Sequence, residues 1–238
     1  GYKDANLPFD PSQSFHATHV AGIAAGDYGT AAGSQRISGV APNAYLGNYK
    51  ALTTPTPGFG LDGNSAEIAA AIEAAVADGM NVINLSLGEP EVEPSRDLVV
   101  KAIEGAAAAG VIPVIAAGND YDDFGLGSIS SPGNAPDAIT VAAATSAGQI
   151  ADFSSAGPTP VSLGMKPDVT APGVDVLSSL PPSQGTFGLL SGTSMASPHV
   201  AGAAALLKER HPTWTVAQVK AALVETGTPV LQPGTGAE

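Results

Sequence analysis

The alternation of amphipathic helix and apolar strand through the middle of the chain limits its fold more than any other feature. Ser65 to Asp78 sets Ile68, Ile72 and Val76 at four-residue intervals among alanines, with Asn64 or Ser65 available as an N-cap and Gly79 as a stop. It leads into Val82 to Leu87, whose length and β-branched content suit a buried strand ended by Gly88. The pattern then repeats: Asp97 to Ala109 reads as a helix stopped by Gly110, and Val111 to Ala117 as a second strand closed by Gly118. Ala138 to Ala144 continues the strand series, whereas Phe153 to Gly173, rich in Pro and Gly, reads as irregular connection. Met195 to Arg210 and Val216 to Glu225 read as helices. Alternation of this kind calls for right-handed βαβ crossovers, hence an α/β fold with a mostly parallel central sheet and helices on both faces. With no internal repeat and no linker-like segment, a single domain over residues 1–238 is expected. Open parallel sheets bind ligands beyond the carboxyl ends of their strands, so the segments after Leu87 and Ala117 are where chemistry is expected.

Charge removes several classes of partner. Subtracting 22 acidic residues from 9 basic ones leaves a formal charge of −13, which repels phosphate backbones and offers no polybasic patch to anionic lipid; nucleic acid and membrane surfaces are therefore not expected partners. The absence of cysteine excludes disulfides, thiolate metal sites and a cysteine nucleophile, and leaves the compartment open. No apolar run reaches the length of a membrane span, and Gly1 opens directly into polar sequence, so any signal or propeptide is expected to lie outside this chain.

Two segments carry nucleophilic chemistry. In His16-Ala17-Thr18-His19-Val20-Ala21-Gly22, small apolar residues follow His16 in a helix-like run, and a histidine held at a helix start can take a proton from a hydroxyl and return it to a leaving amine. Taken alone, it reads as a polar residue beside a packed helix. In Gly192-Thr193-Ser194-Met195-Ala196-Ser197-Pro198-His199, Ser194 stands at or just before the N-terminus of the alanine-rich helix, where free N–H groups and the positive dipole end favour an oxyanion. Taken alone, Ser194 or Thr193 is also an ordinary N-cap.

Together these segments resemble the histidine and serine signatures of the subtilase family. Asn81 to Gly88, Val111 to Asp120, Ser38-Gly39-Val40-Ala41-Pro42, Phe153 to Pro158 and Ala171-Pro172-Gly173 resemble further subtilase segments in the same order, so the likeness runs from about His16 to Glu225. The resemblance implies a three-layer subtilisin-like catalytic domain, and a serine endopeptidase with His16 as general base, Ser194 as nucleophile and Asn119 as oxyanion donor. Ser86, Leu87 and Gly88 would present a backbone edge to an extended peptide, facing a specificity wall of Ala116, Ala117 and Gly118. His19 and His199 are assigned structural roles. Polypeptides are the implied substrates and a secreted or extracytoplasmic location the implied setting. No cofactor is needed for the chemistry; a structural calcium is allowed by the family, but the sequence specifies no site for it, and Asp120, Asp122 and Asp123 read first as a solvated loop. No oligomeric state is specified.

One part of the pattern is missing. The carboxylate that fixes the tautomer of the base in a serine–histidine pair should precede the histidine, at the end of an apolar strand and before a small residue and glycine. Only Asp4 and Asp10 precede His16 and neither has that context, so the chain is expected to begin after the first catalytic strand and to be weak or silent alone, a peptide-binding fragment being the alternative. Ala17 also replaces the glycine usual after the histidine. An α/β-hydrolase is disfavoured because Gly192-Thr193-Ser194-Met195-Ala196 lacks the second glycine of a nucleophile elbow and because His16 precedes Ser194; a dinucleotide site is disfavoured for want of a glycine fingerprint after an early strand.

Overall fold

The structure, a computed structural model, describes residues 14–56 and 60–230; Asp4 and Asp10 lie outside the described residues. Helix α1 (Phe15–Ala25) is followed by two small antiparallel hairpins, β1 (Thr30–Ala32) with β2 (Gln35–Ile37) and β3 (Thr54–Thr56) with β4 (Gly60–Asp62). The layered part begins with α2 (Ser65–Ala77) and β5 (Val82–Leu85). It continues through α3 (Leu98–Ala108), β6 (Ile112–Ala116), the single turn α4 (Tyr121–Phe124), β7 (Ile139–Ala144) and β8 (Val169–Pro172). A third hairpin, β9 (Val176–Ser179) with β10 (Phe187–Leu190), precedes α5 (Thr193–Arg210) and α6 (Val216–Glu225).

The helix ends follow local capping chemistry. The Asn64 side chain accepts the Glu67 N–H at 3.0 Å, Asp97 accepts Val99 and Val100 N–H at 2.8 and 3.1 Å, and Thr215 with Gln218 forms a reciprocal capping box on α6.

Strands β5, β6, β7 and β8 form one sheet in that order, every pair parallel. Side-chain alternation along β6 divides the core in two. Ile112 and Val114 join Ile139 and Val141 of β7 against Ala196, Val200, Ala204 and Val219 of α5 and α6. Ile115 joins Ile83 and Leu85 of β5 against Ile72 of α2 and Val99 and Ile103 of α3. All five residues of β6 are buried, as expected of a parallel strand covered on both faces, and each such Ile or Val contributes about 1.5–3 kcal/mol on leaving water. Helix, sheet and helix therefore stack as three layers, the architecture that the alternation and the resemblance imply.

Two sequence expectations are corrected. Phe153 to Gly173 is not irregular throughout: Val169–Pro172 is the fourth strand, pairing with β7 from Val141↔Val169 to Ala144↔Pro172. Its half-buried edge position needs no apolar run, which is why none marks it. The strand expected over Val82 to Leu87 stops at Leu85, where its last partner on β6 is Ile115, so Ser86, Leu87 and Gly88 project past the paired ladder.

Candidate active site

The carboxyl ends of β5 and β6 and the start of α5 converge through side-chain hydrogen bonds. Helix α5 begins at Gly192, whose φ of 154° is a conformation that favours glycine and whose lack of a side chain leaves no cap for the first turn. Thr193, 1% exposed, is instead held from outside the helix: its N–H and Oγ1 both donate to Asn119 Oδ1, at 2.9 and 3.0 Å, and its Oγ1 accepts the Gly118 N–H at 3.3 Å. Those bonds also orient the amide. With Oδ1 saturated by Thr193, the Asn119 Nδ2 is the end left free to donate, on an otherwise exposed side chain.

Ser194 follows as the second residue of α5. Its backbone N–H lies in the first turn, where no intrahelical acceptor exists. Its carbonyl is also unusual, because the residue four positions on is Pro198, which has no N–H to return. Ser86 fills that vacancy, its hydroxyl donating to Ser194 O at 2.9 Å. Asn84 Nδ2 donates to Ser86 Oγ at 3.1 Å and Ser197 Oγ donates to Asn84 Oδ1 at 2.7 Å, so one face of the first α5 turn is clamped to the end of β5. The Ser194 hydroxyl donates to Ser86 O at 3.4 Å, a long bond that leaves it free to turn.

His16 stands in the first turn of α1, which packs against α5 and against the β9–β10 hairpin. The approach is close because α5 carries Gly202, where a Cβ would lie 2.6 Å from Val40 Cβ and 2.9 Å from Ala24 O. The His16 ring is half-buried and forms no hydrogen bond to Ser194 or to any other described residue; Phe15 meets it edge-on. Burial pushes its pKa below the ordinary imidazole value, and the neighbouring His19 lowers it further. No described carboxylate acts on it.

Two of the other three histidines spend a ring nitrogen on backbone, while His211 stacks on Trp214. His19, fully buried, donates Nε2–H to Gly188 O at 3.0 Å, while His199 donates Nδ1–H to Met195 O at 2.8 Å. Both are held below the usual imidazole range chiefly by burial.

Of the residues expected at the site, the structure joins Ser86, Gly118, Asn119 and Ser194 through the bonds described, with Ala117 accepting from Ser130. It leaves Leu87 and Gly88 beyond the ladder and Ala116 as the last paired residue of β6. It does not bond His16 to Ser194. The sequence reading gave Thr193 only an N-cap role, a position that Gly192 holds instead, and missed Asn84 and Ser197. Asn84, a polar residue inside an apolar strand, is the one signal that pointed toward a role. Among the described residues no three carboxylate or imidazole groups converge, and Asp122 and Asp123 lie exposed on α4.

Known proteins carry the same architecture. Residues 2–236 match the family model for peptidase S8, described as the subtilase family. The chain is 41% identical over 215 residues to the subtilisin of Bacillus pumilus, covering 90% of this chain and 70% of that protein. It is 41% identical over 215 residues to subtilisin E of Bacillus subtilis (strain 168), of which it spans 51%, about half the length. The solved structure of sphericase superposes with a TM-score of 0.72 at 36% identity, over 89% of this chain and 68% of that one. The chain belongs to the subtilase family of subtilisin-like serine endopeptidases.

Proposed function

We propose that Ser194 is the nucleophile of peptide-bond hydrolysis, His16 its general base, and Asn119 Nδ2 with the Ser194 N–H the oxyanion donors. The observation carrying this reading is the Asn119 amide, turned by two Thr193 donors so that its N–H groups face outward beside the nucleophile. His16 accepts the hydroxyl proton as Ser194 Oγ, turning away from Ser86 O, attacks the carbonyl carbon of an extended substrate. The charge developing on the carbonyl oxygen meets donors fixed in advance, so no reorganisation is needed as it forms. The imidazolium then protonates the departing amine, and water discharges the acyl-enzyme by the same proton route in reverse. Depression of the His16 pKa keeps the ring neutral, and so able to act as a base, at neutral pH.

The substrate is polypeptide, lying along Ser86-Leu87-Gly88 with Ala116-Ala117-Gly118 opposite, and the setting is extracytoplasmic, as the family resemblance suggests. No helix among the described residues is long and apolar enough to cross a membrane. The second reading, a peptide-binding domain of low turnover, is favoured by the absence of any described carboxylate on His16. Hydrolysis of a casein-derived peptide by the parent and by Ser194→Ala and His16→Ala separates the two. Loss of cleavage in both variants supports the enzyme; equal rates in all three would refute the assigned pair.

A further inference from the structure

We propose that Ser130 closes the pocket between the two walls of the cleft and restricts the residue whose carbonyl is attacked to a small side chain such as Gly, Ala or Ser. This rests on the reading that Ser86–Gly88 and Ala116–Gly118 flank that residue. Gly88 and Gly118 stand at the mouth and converge on one hydroxymethyl group. A Cβ at Gly88 would lie 2.5 Å from Ser130 Oγ and 3.1 Å from its Cβ, and a Cβ at Gly118 would lie 2.8 Å from the same Oγ. Ser130 thus takes the space that both glycines leave open.

It cannot easily withdraw. Ser130 is 6% exposed, and its N–H and Oγ both donate to Ala117 O, at 3.0 and 3.2 Å, tying it to one wall. The next residue, Ser131, exchanges backbone hydrogen bonds of 2.9 and 2.8 Å with Glu89, tying it to the other. Two more polar atoms crowd the Gly118 side, since its Cβ position lies 2.7 Å from Ser155 Oγ and 3.1 Å from Asp120 Oδ2. An aromatic ring entering between the walls meets hydroxyl and carboxylate oxygens at its leading edge, losing both space and apolar contact, whereas a methyl or hydroxymethyl stops short of them. The Asp120 carboxylate and the net charge of −13 also disfavour an acidic side chain.

Steric mismatch in a pocket is worth roughly 10–200-fold in discrimination. The test measures, by calorimetry on the full chain carrying Ser194→Ala, the affinities of acetylated tetrapeptides ending in Ala, Phe or Lys. Ala is expected to bind at least about tenfold more tightly than Phe or Lys. Ser130→Gly is expected to remove most of the margin over Phe, and Ser130→Ala, which keeps the Cβ should the glycine variant fold poorly, to reduce it less. Equal affinity for Ala and Phe, or a margin unchanged in both variants, overturns the proposal. Fluorophosphonate labelling of the unsubstituted protein keeps the two levels apart. Labelling at Ser194 without peptide selectivity overturns the role of Ser130 alone; neither labelling nor peptide binding overturns the active-site reading and this inference with it.

Discussion

Lys166→Met is expected to abolish a rise in stability with pH that the parent protein shows between pH 8 and about 10.5. The Lys166 side chain, 5% exposed, enters beneath β8, where its Nζ donates to Ala138 O at 2.8 Å and to Asp168 Oδ2 at 2.7 Å. Lys220 of α6 reaches the same two residues, donating to Ala138 O at 2.8 Å and Asp168 Oδ1 at 2.9 Å. Glu104 of α3 and Asp137 are the other charged groups nearby. Burial outweighs the attraction of Asp168, and with repulsion from Lys220 it lowers the Lys166 amine from 10.5 to about 8. The unfolded chain therefore holds a proton that the native state lacks between those values, and stability climbs as pH rises through the window. At about 1.4 kcal/mol per pKa unit, the depression from 10.5 to about 8 amounts to roughly 3 kcal/mol. Below pH 8 both states are protonated and the slope from this residue vanishes. Methionine fills similar space without a titrating group, and Asp168 keeps Lys220 and the Thr140 N–H at 2.8 Å. Urea unfolding of both proteins in a Ser194→Ala background, chosen because Ser194 is the proposed nucleophile, is measured at pH 7, 8.5 and 10. Every other titrating group is common to the pair, so the difference between the curves reports Lys166 together with its influence on Asp168 and Lys220. Parallel curves would refute the reasoning, because they would mean that the amine titrates in the native state as it does in the unfolded chain.

The kcat/KM is expected to fall on acidification with a midpoint below about 6.5, because burial and His19 depress the His16 pKa and only the neutral ring accepts a proton; a midpoint at or above 6.5 would place an anionic partner on the imidazole. Asn119→Ala is expected to lower kcat by about 10²–10³ with little change in KM, the magnitude that loss of one such donor has in subtilisin itself. An unchanged kcat would remove Asn119 from the oxyanion site.

Legibility followed locality. Strands β6 and β7 announce themselves because burial on both faces demands short apolar runs, β5 because Ile83 and Leu85 alternate toward the core, and α2 and α3 because their burial repeats every three to four residues between a capping Asn or Asp and a glycine. Strand β8 carries no such mark: Val169-Thr170-Ala171-Pro172 sits half-buried at an edge, where pairing with β7 alone suffices. The ends of elements that bear Ser194 and Asn119 were visible as turns after apolar runs, and family likeness gave them roles. What positions them was not visible. Thr193 meets Asn119 across 74 residues and Ser197 meets Asn84 across 113, and a hydrogen bond of that span imposes no period on the sequence. Ser130 escaped notice for a related reason. Its neighbours read as a loop, and its place between Gly88 and Gly118 exists only once three distant segments have packed.

Reaction of the chain with a small fluorophosphonate, followed by intact mass and peptide mapping, tests Ser194 as nucleophile and His16 as its base. One adduct is expected, located on Ser194, absent in Ser194→Ala and formed much more slowly in His16→Ala, since the hydroxyl then lacks its base. An adduct on another serine, or labelling that persists in Ser194→Ala, would contradict it.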